Sequence, residues 1–154
     1  MKHYRQSQNS YYCGPYSLLS LLSHFDLEMS KSQMIRYFGG SKHINRVGGV
    51  SCNDISRVLL ERFDIKTDWG FYKTKRGLKS FFKKHVGEPT IISYNTKRPF
   101  SPYWISHFSV LESIKYNRIN ILDPLISTGE IIWGEYITPE EVKIKSPYMV
   151  MYYK

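Results

Sequence analysis

The sequence predicts an α+β domain in which N-terminal helices pack on a C-terminal antiparallel β-sheet. Three observations predict it. Apolar residues recur at helical spacing through the first half of the chain, short runs rich in β-branched and aromatic residues follow Pro89, and turn residues separate those runs. The length of 154 residues suits one compact core and is short for two, so a single domain spanning 1–154 is expected.

The helices announce themselves in order. Cys13-Gly14-Pro15 opens a stretch in which Leu18, Leu19, Leu21, Leu22 and Phe25 fall on one helical face. Pro15 suits a first turn, where no amide donor is needed, and this places Cys13 at the N-terminus of a buried helix. Ser30 with Gln33 reads as a capping box for a second helix carrying Met34, Ile35, Tyr37 and Phe38, stopped at Gly39-Gly40. After a loop at Val47-Gly48-Gly49-Val50, Ser51 and Asp54 repeat the capping pattern ahead of Ile55, Val58, Leu59 and Arg62, the third helix of the first half. A fourth follows the basic run Lys73 to Arg76, with Leu78, Phe81, Phe82 and Val86 on one side and Gly87 as terminator.

Strands are expected over Thr90 to Tyr94, His107 to Ile114, Ile119 to Leu122, Glu130 to Trp133 and Tyr148 to Tyr153. Between Asn95 and Ser106 the chain is punctuated by Pro99 and Pro102 and reads as a loop bearing Tyr103 and Trp104.

Composition narrows the function. No apolar run approaches the roughly 18 residues of a membrane span, and the N-terminus lacks the apolar core of a signal peptide, so a cytoplasmic protein is expected. Cys13 and Cys52 are too few for a disulfide framework, and neither they nor His3, His24, His43 and His85 show metal-ligand spacing. No metal and no cofactor is expected. The net charge of +9 favours acidic partners, but Lys73, Lys75, Arg76, Lys79, Lys83 and Lys84 sit on an amphipathic pattern and read as a solvated face; nucleic acid is not expected as the main partner.

The chemistry gathers at Cys13. A helix N-terminus stabilises a thiolate through its dipole and its free amides; Gly14 leaves room for a substrate backbone, and the amide of Cys13 can donate to an oxyanion. A core thiol is the plainer reading until His107 is considered. The strand from His107 to Leu111 turns near Lys115-Tyr116-Asn117 and returns as Ile119 to Asp123. That hairpin brings Asp123 within a residue or two of the position opposite His107, where cross-strand neighbours lie about 5 Å apart. A carboxylate there orients the imidazole and leaves its other nitrogen for the thiol proton. Cys52, with no such partner, reads as structural. Tyr103 and Trp104 are candidate walls of a substrate cleft, or packing under the loop.

These residues resemble a known family. Gln6-Ser7 with Cys13-Gly14-Pro15-Tyr16-Ser17-Leu18-Leu19, then Ser106-His107-Phe108-Ser109-Val110, then Ile121-Leu122-Asp123-Pro124 look like the bacteriocin-processing, double-glycine leader peptidases of the papain-like clan. The resemblance implies a papain-like cysteine peptidase with Cys13 as nucleophile, His107 as base and Asp123 as orienter. It also implies an upstream glutamine completing the oxyanion hole. The family places that glutamine six residues before the cysteine; here Gln6 lies seven before and Gln8 five before, and the Arg-Gln-Ser setting favours Gln6. The implied partner is a peptide or protein substrate, with a small-residue or glycine-rich cleavage site by analogy. The same three pieces are similar to phytochelatin synthases, which implies acyl transfer as the alternative to hydrolysis. A catalytically inactive papain-like binding module is the alternative outside enzymology.

Overall fold

The computed structural model describes residues 2–6, 11–72, 75–84, 88–97, 104–115, 118–124, 129–132 and 148–153, some of them by backbone alone. The described residues form five α-helices, α1 (Cys13–Leu22), α2 (Lys31–Tyr37), α3 (Gly40–Val47), α4 (Cys52–Phe63) and α5 (Lys75–Lys84). Six strands accompany them: β1 (Thr67–Tyr72), β2 (Thr90–Lys97), β3 (Trp104–Lys115), β4 (Arg118–Leu122), β5 (Gly129–Ile132) and β6 (Tyr148–Tyr153). They make one sheet in the order β1-β6-β2-β3-β4-β5, every neighbouring pair antiparallel. No helix among the described residues is long and apolar enough to cross a membrane.

The core explains the helices. Leu18, Leu19, Leu21 and Leu22 of α1 are buried with Met34, Ile44, Ile55, Val58 and Leu59 of the next three helices and with Ile91, Phe108, Val110 and Leu122 of the sheet. Fully burying one such side chain is worth about 1.5–3 kcal/mol, so the leucines of α1 alone outweigh any weakness in its ends. Both expected capping boxes form: Ser30 Oγ accepts from Gln33 N–H, and Ser51 Oγ from Asp54 N–H, each with the reciprocal bond. Each box satisfies amides that the first helical turn leaves without partners.

Four elements depart from the sequence reading. The Gly39-Gly40 stop ends α2, but the chain turns there on two glycines of φ +85° and enters α3, which buries only Ile44. One apolar anchor in eight residues leaves no periodicity to detect. β1 precedes α5, so the helices do not all come before the sheet; its hydrogen-bonded partner is β6 at the far end of the chain. Residues 95–97 and 104–106, expected in a loop, extend β2 and β3, pairing as Asn95 with Ser106 and Lys97 with Trp104. Val86 and Gly87, expected to end α5, lie outside the described residues.

Gly14 serves close packing. A Cβ on Gly14 would stand 2.2 Å from Val50 Cγ2, with Ile55 Cδ1 and Phe108 Cδ2 at 3.5 Å. The loop between α3 and α4 thus seats directly on the first turn of α1. Gly14→Ala should cost about 1–3 kcal/mol through overpacking, read as a lower urea midpoint. Combined with Val50→Ala the loss should be smaller than the sum of the two single losses. Strict additivity would show that the contact does not limit this site.

Candidate active site

Three elements converge on Cys13. It is the first residue of α1, half-buried, and the other end of that helix is locked by its leucines. The N-cap position is Tyr12, which gives no side-chain cap, and the first turn carries no acidic residue. The first amides of α1 are therefore not spent on a cap, and their partial positive charge remains for an anion. The main-chain N–H groups of Gly14 and Phe108 lie beside the sulfur of Cys13 and favour its thiolate.

His107 stands on β3 and Asp123 immediately follows β4. Val110 pairs with Leu122, so Asp123 lies two residues short of the position opposite His107. Diagonal neighbours of this kind are about 7–8 Å apart at the backbone, a span an imidazole and a carboxylate bridge together. They do so here: His107 Nε2 lies 2.7 Å from Asp123 Oδ1, with both residues buried. Strand alternation sorts the neighbours. Phe108, Val110 and Leu122 enter the helix-packed core, which leaves His107, Ser109 and Asp123 at the alternate positions.

With Nε2 donating to the carboxylate, Nδ1 is the nitrogen left for the thiol, and the Cys13 and His107 side chains each favour the other's charged form. Burial alone pushes the Cys13 thiol up. The neighbouring His107 ring, through its polarity and its imidazolium charge, and the N–H groups of Phe108 and Gly14 outweigh it and hold the thiol below its ordinary value. Burial likewise pulls His107 down, yet the bonds and charges of Asp123 and Cys13 carry it up to about 9. Opposite shifts on two partners favour a thiolate–imidazolium pair in the pH range between them.

Gln6 is buried, its main-chain N–H donates to the carbonyl of Pro124 at 2.9 Å, and neither atom of its side-chain amide has a hydrogen-bond partner among the described residues. Gln8 and Tyr103 lie outside the described residues, and Trp104 is placed by its backbone in β3 without a described side chain. Cys52 opens α4, buried, and its thiol is pushed up to about 12 by burial despite a hydrogen bond with Ser93. Sequence reading missed the Phe108 N–H donor. A main-chain donor carries no residue signature, so nothing in the sequence could have marked it.

The described architecture is the papain-like α+β fold, and its likeness to solved structures runs through almost the whole chain. A double-glycine-motif protease from an AMS/PCAT transporter, solved with its leader peptide, matches at TM-score 0.66 and 18% identity, covering 97% of this chain and 89% of that one. The peptidase domain of Streptococcus ComA, a bifunctional ABC transporter of a quorum-sensing pathway, matches at TM-score 0.63 and 16% identity over 99% and 96% of the two chains. A peptidase-like protein from Bacillus anthracis matches at TM-score 0.61 and 16% identity over 98% and 94%. No protein-family model matches the chain, and no curated protein matches it in sequence.

The two thiols should respond differently to iodoacetamide. Cys13 should be labelled well below the free-thiol pKa of about 8.5, and Cys52 should stay unlabelled while the fold is intact. His107→Ala should return the Cys13 profile toward that of a free thiol. Peptide mass spectrometry locates the adduct, and a Cys13 rate indifferent to His107 would contradict the coupling.

Proposed function

We propose that this chain is a single papain-like cysteine peptidase domain, residues 1–154, that cleaves a peptide bond through Cys13, His107 and Asp123. The observation that carries the reading is the 2.7 Å bond from His107 Nε2 to Asp123 Oδ1, made while the same ring lowers the pKa of Cys13 at an uncapped helix N-terminus. The Cys13 thiolate attacks the scissile carbonyl carbon. His107 gives its Nδ1 proton to the departing amine as the C–N bond breaks, which leaves a thioester on Cys13. Water then attacks the thioester, His107 takes its proton, and the acid product leaves with the thiolate restored.

Gln6 supplies the oxyanion donor in this reading, with the Cys13 amide as the second. A buried side-chain amide without a partner among the described residues supports that role, since an idle buried amide costs about 1–3 kcal/mol. The likeness to a protease solved with its leader peptide, and to the peptidase domain of a second transporter, supports a peptide substrate cut after small residues such as paired glycines. Tyr103 and Trp104 are the candidate cleft residues; Gly14 is not among them, since the space beside it is taken by Val50. Two free cysteines suit a reducing compartment, the cytoplasm.

Peptides carrying a Gly-Gly cleavage site, followed by mass spectrometry, test the reading. Hydrolysis should vanish in Cys13→Ala, and Gln6→Ala should lower kcat by about 10²–10³-fold while Cys13 still labels normally. The rate should fall on the alkaline side as His107 loses its proton through about 9. Hydrolysis that survives Cys13→Ala would end the proposal. A product joined to an added amine in place of the free acid would move it from hydrolysis to acyl transfer.

A further inference from the structure

The first described residues form a strap of which the reaction scheme uses only the Gln6 side chain. Lys2 N–H donates to Ser23 Oγ at 2.7 Å, Tyr4 N–H to Ser20 Oγ at 3.2 Å and Gln6 N–H to the Pro124 carbonyl at 2.9 Å. The strap thereby joins the C-terminal half of α1 to the turn that leaves β4. One side chain within it makes a contact of another kind. His3 Nε2 lies 2.6 Å from the main-chain carbonyl oxygen of Asp123. A carbonyl only accepts, so Nε2 carries the proton and donates.

The position of that carbonyl gives the contact its weight. β4 ends at Leu122, and the last residue pair between β3 and β4 is Val110 with Leu122. Asp123 therefore lies beyond the pairing that fixes the rest of the hairpin. The strap reaches two consecutive carbonyls at this place, Asp123 from His3 and Pro124 from Gln6. His3 is half-buried, which partly shields its bond from water.

We propose that His3 is a positioning residue, which holds the main chain of Asp123 so that its carboxylate meets His107 in the geometry the thiol requires. The inference rests on the Cys13, His107 and Asp123 reading above. It assigns no contact between His3 and a substrate. Its rival is a plain latch for the N-terminal segment, which would cost stability without touching the thiol.

Iodoacetamide labelling of Cys13 across pH separates these. His3→Phe fills the space without a donor to the carbonyl, and His3→Gln keeps an N–H donor. His3→Phe should slow labelling below the free-thiol pKa about three- to tenfold, since each unit by which the thiol's pKa rises removes about tenfold of its thiolate there. His3→Gln should recover to within about twofold of wild type, and His3→Phe should add nothing in an Asp123→Asn background. If His3→Phe loses its folded circular-dichroism spectrum, His3→Ala is read in its place.

Normal labelling of His3→Phe, beside slow labelling of Asp123→Asn, would overturn the positioning role and leave the triad standing. An equal loss in His3→Gln and His3→Phe, or an undiminished effect of His3→Phe on the Asp123→Asn background, would overturn it as well. Labelling unaffected by Asp123→Asn itself would overturn the triad reading and this inference together.

Discussion

The seating of α1 against β3 is the constraint on which the site depends. The leucines of α1 and the side chains of Phe108 and Val110 share one buried cluster, and Phe108 also presents its main-chain N–H to Cys13. Packing and chemistry thus meet at one residue. Interiors are close-packed, so a shift of the helix along the strand would cost buried contacts before it moved the thiol far. A one-residue slip of β3 would be worse, exchanging Phe108 and Val110 with His107 and Ser109 between core and site.

Stability and reactivity divide the helix between them. α2 and α4 close their N-termini with capping boxes, whereas α1 forgoes a side-chain cap worth about 1 kcal/mol. Its buried leucines offset that loss many times over. The amides left uncommitted are the kind that stabilise a thiolate, and Gly14 N–H is among the groups that lower the Cys13 pKa. Gly14 is a glycine for a neighbouring reason, the approach of Val50 to the same turn. Cys52 shows the contrast: it also opens a helix, but burial, with no charged partner among the described residues, raises its thiol to about 12. Helix position alone does not lower a thiol's pKa; Cys13 differs from Cys52 in having His107 beside it.

What was legible in the sequence was local. Capping boxes at Ser30 and Ser51, the proline in the first turn of α1, and a hairpin that sets Asp123 near His107 all act over a few residues, and each appears in the structure. Features decided by distant chain were not legible. β1 owes its place to β6, and neither half alone declares the pairing. The prolines at 99 and 102 suggested a loop reaching Ser106, yet cross-strand pairing carries β3 back to Trp104. The His3 contact spans most of the chain and has no spacing rule to reveal it.

The central claim is that Cys13 and His107 rest as a thiolate–imidazolium pair held by Asp123. Nitrogen NMR of the His107 ring in the folded protein tests it most directly, compared between wild type and Cys13→Ser across pH. The account predicts a ring protonated on both nitrogens at neutral pH in the wild type, losing its proton through about 9, and losing it at lower pH once the thiolate is gone. A neutral His107 ring at neutral pH in the wild type, titrating identically with and without Cys13, would contradict it.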